Sequence, residues 1–174
     1  MVRKNIMLLV LMSLLLIVGV ACSANIEEEK VTAIDSAKQA FMNQPKKTNE
    51  KSSSTKFYLP SGYKIEKEEE HNIILHKGDN PVIIFINPNE GSNSQSLSKR
   101  IEKKKDDYLA YEIFHQDNRV GFVAIKEISD DEYEITTGVG GVKVTAQTKV
   151  KDLAKYAEDM MDIASSIKQK EKQS

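Results

Sequence analysis

One cysteine, no tryptophan, three histidines and four prolines stand in a chain of 174 residues, and these scarcities narrow the field. A single cysteine, Cys22, rules out any disulfide within the chain. Without tryptophan, and with aromatics at 6%, the core has to rest mainly on Ile, Val and Leu. Charge of one sign is not in excess: 25 Lys and Arg stand against 26 Asp and Glu, a formal net charge of −1. A general nucleic-acid binder would be clearly basic, so that class is excluded. Nor is there an apolar run of comfortable membrane-spanning length. The longest, Ile6 to Val20, is broken only by Ser13 and Gly19 and has fifteen residues, whereas a transmembrane helix needs about 20.

What is present begins with that run. It follows the short basic stretch Met1-Val2-Arg3-Lys4-Asn5, and the two together have the form of an export signal, to be set aside from fold reasoning. Its end, Val18-Gly19-Val20-Ala21-Cys22, resembles the lipobox of bacterial lipoproteins. The resemblance implies that a diacylglyceryl group is added to the Cys22 thiol and that residues 1–21 are then cut away. The mature chain would be held at the extracytoplasmic face of the cell membrane by two or three palmitate-like acyl chains. Each buried methylene adds about 0.8 kcal/mol and one chain alone holds only marginally, so multiple acylation is what makes such an anchor stable. Removing residues 1–21 takes away Arg3 and Lys4 and no acid, leaving 23 basic against 26 acidic residues. The remaining length suits one domain with short extensions.

Asn25, with Glu28 three residues later, has the form of a capping box. Ile26, Ile34, Ala37 and Phe41 then recur at helical spacing up to Pro45, which predicts a lipid-anchored amphipathic helix within 22–44. Its stripe has two candidate partners, the domain and the membrane surface. Residues 45–56, PKKTNEKSSSTK, offer no apolar side chain to bury and read as a polar linker, about 40 Å long if drawn out. A folded domain is expected over 57–168 and a charged tail over 169–174. Strands are expected at 63–66, 71–77 and 81–87, then a helix at 96–105, then strands at 111–116, 120–128, 132–137 and 142–147. Gly138 to Gly141 should supply the last turn, and a closing helix carries Leu153, Tyr156, Met160, Ile163 and Ile167 on one face. The runs Val82–Ile86 and 120–128 are apolar on both faces, as strands covered on two sides are. The expected fold is α+β: a mostly antiparallel sheet of six or seven strands in the order βββ-α-ββββ-α, with flanking helices, preceded by the N-terminal helix. Residues 57–168 should fold on their own, because both proposed central strands lie inside them.

The opening Phe57-Tyr58-Leu59-Pro60-Ser61-Gly62-Tyr63 and the closing Ile163-Ala164-Ser165-Ser166-Ile167 are similar to the start and the final helix of the PsbP-like fold, which is widespread in small bacterial lipoproteins. The resemblance covers 57–168. It implies a protein that binds partners rather than catalyses, and it brings no functional residues with it, because the matching positions are structural.

Catalytic and metal-binding patterns are weak. His71 and His76 are five apart, which places them on opposite faces of one strand; a site combining one of them with His115 across the sheet stays open. Gly138-Val139-Gly140-Gly141 precedes a strand pattern, so it lacks the following helix that a phosphate loop needs. Asp130-Asp131-Glu132 lacks the alternating ligands and central glycine of a calcium loop. Glu68-Glu69-Glu70 has nothing apolar nearby to raise a pKa, and no serine sits in a nucleophile elbow. Neither a metal nor a cofactor is expected, nor enzymatic activity. Two surface features remain. Lys99, Arg100, Lys103, Lys104 and Lys105 place five cations in seven residues, suited to anionic lipid head groups, an anionic wall polymer or an acidic envelope protein; a solvated helix face has the same composition. The loop 87–94 has the residues to hold a polar ligand and equally those of an ordinary turn. The expected function is a non-enzymatic binding or interaction module at the cell envelope. The alternative is a solute- or lipid-binding protein with a pocket between sheet and helices.

Overall fold

A computed structural model describes residues 25–168 of the chain; Cys22, the expected signal segment 1–21 and the tail 169–174 lie outside them. The elements follow the expected α+β order. Helix α1 (Ile26–Met42) comes first, then a short pair β1 (Glu50–Lys51) and β2 (Lys56–Phe57). Strands β3 (Tyr63–Glu68), β4 (Asn72–Lys77) and β5 (Asn80–Ile86) lead to helix α2 (Ser96–Lys103) and a 3-10 turn (Lys105–Asp107). Strands β6 (Ala110–Gln116), β7 (Arg119–Ser129), β8 (Glu132–Val139) and β9 (Val142–Lys149) follow, then a second 3-10 turn (Val150–Asp152) and helix α3 (Leu153–Ser166). The main sheet has seven antiparallel strands in the order β3-β4-β5-β9-β8-β7-β6. Tight turns fix its register. Asp117 and Asp131 adopt positive φ in the β6–β7 and β7–β8 hairpins, a conformation acidic and amide side chains tolerate. The glycine turn is shorter than expected: β8 runs through Val139, so only Gly140 and Gly141 turn the chain.

Helices α1 and α3 cover one face of this sheet. The face of α3 anticipated from sequence is buried, with Leu153, Tyr156, Met160, Ile163 and Ile167 in the main core. Helix α1 joins the same core through Ala33, Ala37, Ala40 and Phe41, whose small side chains let it lie close against its neighbours. Its stripe therefore packs on the domain. Asn25 caps it by accepting from the Glu27 N–H at 3.0 Å. At the other end Arg119 Nη2 donates to Phe41 O at 2.8 Å, and Gln116 Nε2 to Met42 O at 3.0 Å. A guanidinium is well placed there, because the last carbonyls of a helix carry partial negative charge. The Arg119 guanidinium also lies 4.7 Å from the centre of the Phe41 ring. Gly121 makes room for that ring: a Cβ on Gly121 would stand 2.6 Å from Phe41 Cδ2.

The stretch 45–56, expected as a linker, is folded. The β1–β2 hairpin closes through Ser52, whose hydroxyl accepts from Thr55 N–H at 3.1 Å, while Asn49 brackets Leu59 by accepting from its N–H (2.7 Å) and donating to its carbonyl (3.1 Å). Polar side chains that bond the backbone locally can order a segment that has little to bury. Phe57 then enters the main core. Ser166 Oγ accepts from Tyr58 N–H at 2.8 Å and donates to Ile163 O at 2.7 Å, joining the opening of the 57–168 segment to its last helix.

The opposite face is covered over only part of its width. Helix α2 packs on β6 and β7, and a second cluster forms from Ile101, Phe122 and Ala124 with Leu97, Tyr108, Tyr111 and Ile113 against it. With eight residues, α2 is about 12 Å long, enough for two or three strands at about 4.8 Å each. Strand β7 is thus buried on both faces from residue 120 to 125, as expected there, but the expected cover over 120–128 stops short: Lys126, Glu127 and Ile128 are exposed. Strand β5 is not buried on both faces. Ile84 is 0% exposed but Ile83 is 43% exposed, so the expectation of two-sided cover at 82–86 is corrected. An apolar run shows that neither face is strongly polar; it does not show that a helix lies over both.

Candidate functional site

The cationic segment is amphipathic by construction. Leu97, Ser98 and Ile101 turn toward the sheet, while Lys99, Arg100 and Lys103 are exposed. The expected helix over 96–105 ends at Lys103, where the Lys104 N–H donates to Ile101 O at 2.9 Å, and Lys105 opens the 3-10 turn. Arg100 and Lys103 lie in the last helical turn, where cations suit the helix dipole. Among the described residues none of Lys99, Arg100, Lys103, Lys104 or Lys105 forms a salt bridge. Glu102, Asp106 and Asp107 interleave, so residues 99–107 hold five cations against three acids.

The segment has a direction. Its N-terminal side is held where Ser92 O accepts from Val120 N–H at 2.9 Å, near the start of β7. Its exit is held where Leu109 N–H donates to Ile125 O at 2.9 Å, further along β7. Helix α1 ends beside Gln116 and Arg119 and, at 17 residues, extends about 26 Å from there, reaching the turn Val150–Asp152 beyond β9. Lys103 and Lys104 reach Phe122 and Lys143 near the starts of β7 and β9, whereas Asn25 lies toward the far end of these strands, on the opposite face. Leu109 and Ile128, exposed by 42% and 45%, belong to this far end too.

Beneath α2 the structure forms a groove of about 400 Å³, lined by Leu97, Arg100, Ile101, Lys103, Lys104, Tyr108, Phe122 and Lys143. It brings three of the five predicted cations together and leaves Lys99 and Lys105 outside. Lys143, a residue that sequence reasoning missed, arrives from β9. In register it lies opposite Gly138 on β8, which in turn lies opposite Phe122 on β7. Gly138 is required there, since a Cβ would meet the Phe122 ring and the Val142 carbonyl oxygen. The Tyr108 phenol is held above its usual range first by burial, then by the charges of Glu134 and Asp107.

The other candidates are dispersed or internally satisfied. His71 and His76 flank and close β4, and His115 is on β6, five strand positions away, or about 24 Å. No group of three metal-ligating side chains forms among the described residues. His76 Nδ1 lies 2.9 Å from Gly78 O. Glu68 accepts from Ser53 N–H at 2.8 Å, and the Ser53 side chain, then its backbone N–H, hold the Glu68 pKa below the ordinary carboxylate value. The loop 87–94 uses its polar groups on itself and on the β8–β9 turn: Asn87 N–H donates to Gly141 O at 2.9 Å and Ser94 Oγ to Glu90 Oε2 at 2.9 Å. Two buried acids on α3 went unnoticed in the sequence because they sit within an apolar helical pattern. Asp159 is paired with Lys77 at 3.1 Å and Lys155 at 3.0 Å. The Lys77 ammonium also lies 5.0 Å and 4.6 Å from the Tyr63 and Tyr156 ring centres, so this cluster ties the β3–β4 edge to α3. Asp162 borders a polar cleft with Glu158 and Lys46, and burial raises its pKa.

No protein-family model and no curated protein sequence matches the chain. Among solved structures, one from Bacteroides thetaiotaomicron VPI-5482 is similar at a TM-score of 0.40 and 11% identity, over 68% of this chain. The chain spans 46% of that protein's length. Among the described residues, no helix is long and apolar enough to cross a membrane. Fold and site together define an antiparallel α+β protein with a cation-rimmed groove on its half-covered face.

Proposed function

We propose that the protein is a non-enzymatic binding module, lipid-anchored through Cys22 at the extracytoplasmic face of the cell membrane, whose contact surface is the cationic segment 99–105. The observation that carries this reading is the surface itself: Lys103, Lys104 and Lys105 are exposed, and among the described residues none of them forms a salt bridge. An anchor at Cys22 would keep the domain within reach of the bilayer, and each basic residue that meets anionic head groups contributes about 1 kcal/mol. The lipobox resemblance supports the anchor, and the PsbP-like resemblance of 57–168 supports binding over catalysis. An acidic envelope protein or an anionic polymer at the membrane would meet the same surface.

Two measurements test it. Cys22→Ala should abolish incorporation of labelled lipid and leave the signal segment uncut; a variant labelled and processed like wild type would overturn the anchor. Replacing Lys103, Lys104 and Lys105 together by Gln should weaken binding to anionic vesicles about tenfold or more and shift the melting temperature very little, because solvated lysines contribute little to folding. Wild-type binding should itself weaken as salt rises. Equal binding by wild type and variant would exclude this surface.

The second reading, a pocket between sheet and helices, is favoured by the groove under α2. The space between the sheet and α1 and α3 is filled by the main core, so such a pocket belongs to the α2 side.

A further inference from the structure

We infer that the groove under α2 takes a single anionic amphiphile, with an acidic head group held by Arg100, Lys103, Lys104 and Lys143 and an apolar portion lying along Leu97 and Phe122. This deepens the proposal above and rests on its premise that the α2 side meets anionic matter. The argument is complementarity of two kinds in one place. Four cations that form no salt bridge among the described residues converge on a groove whose remaining lining is Leu97, Ile101, Tyr108 and Phe122. An anionic polymer would need the charges and not the apolar floor, and a neutral solute would need the floor and not the charges. The volume of about 400 Å³ falls within the range of roughly 300–1,000 Å³ usual for small-molecule sites. Lys143 separates this site from a general cationic face: it is half-buried and stands on β9, on the side of the groove away from α2. The phenol of Tyr108, which also lines the groove, is a further donor. Beyond Lys143 the open sheet face continues to Phe85, its partner in register on β5, and to Ile83 two residues earlier, which offers a path for a chain longer than the groove.

The test uses the full chain in a neutral detergent, titrated by calorimetry with monohexyl phosphate, hexanol and inorganic phosphate. Monohexyl phosphate should saturate at one per chain, with the head group alone and the tail alone each about tenfold weaker or worse. Lys143→Gln should weaken monohexyl phosphate about tenfold, the scale of losing one charge-assisted contact, and Lys143→Arg should restore it. Lys99→Gln with Lys105→Gln, both outside the groove, should leave it unchanged. Inorganic phosphate binding as tightly as monohexyl phosphate would overturn the inference, as would indifference to Lys143→Gln. Vesicle binding that survives alongside either result would leave the surface proposal standing without the groove. Lys143-dependent uptake of monohexyl phosphate without vesicle binding would remove the surface proposal and keep the groove.

Discussion

Phe41→Ala should cost about 3–5 kcal/mol, the range for emptying a fully buried aromatic site. Phe41 is 0% exposed, packs on Gly121, faces Phe114 at 5.8 Å between ring centres and carries the Arg119 guanidinium on its other side. Against a usual total stability of about 5–15 kcal/mol, such a loss brings the domain close to unfolding. Chemical denaturation of the full chain gives the number directly. The same contacts revise the expectation that residues 57–168 fold alone. Without α1 the core loses Phe41 and three buried alanines, and without 45–56 it loses the hairpin that precedes Phe57. The chain from Pro45 onward should therefore lack a cooperative transition, while a preparation retaining α1 keeps one. Full stability without α1 would mean that the helix is only an appendage.

Ile84→Asp and Ile83→Asp, one residue apart, should differ by several kcal/mol. At 84 the carboxylate would enter the main core between Val144 on β9 and Ile73 on β4, its register partners, with no countercharge; an unpaired buried charge is among the few changes that regularly cost more than 4 kcal/mol. At 83 the side chain faces the uncovered half of the sheet, and the expected loss is about 1 kcal/mol, set by cross-strand packing with Ile74 and Thr145. Thermal melts of the two variants decide the matter. Equal, severe losses would mean that something covers the β5 face in solution.

The sequence made elements legible where a local rule sufficed. The stripe of α3, the hairpin turns at Asp117 and Asp131, and the burial of β7 over 120–125 all follow from periodicity or turn chemistry within a dozen residues. What was illegible depends on position across the sheet. Lys143 enters the groove because β9 lies between β5 and β8, an order no local pattern encodes. The exposure of Ile83 depends on α2 being short, and an apolar run reads alike whether one face is covered or two. The hairpin 50–57 escaped for a different reason: serine, threonine and asparagine are usual in both linkers and ordered turns, and only the bonds from Ser52 and Asn49 separate the two.

The docking of α1 also changes how far the molecule can roam. Had the helix been a separate anchor and 45–56 a free spacer, the domain could have stood about 40 Å off the bilayer and sampled a wide shell above it. With both built into the fold, the anchor proposed at Cys22 would leave three peptide steps to Asn25, a reach of at most about 10 Å. A body on so short a leash faces the bilayer at high effective concentration and has little access to anything beyond its own height. Its encounters would be two-dimensional, with molecules that share the membrane plane, and their frequency would follow lateral diffusion rather than the concentration of a solute in the surrounding medium.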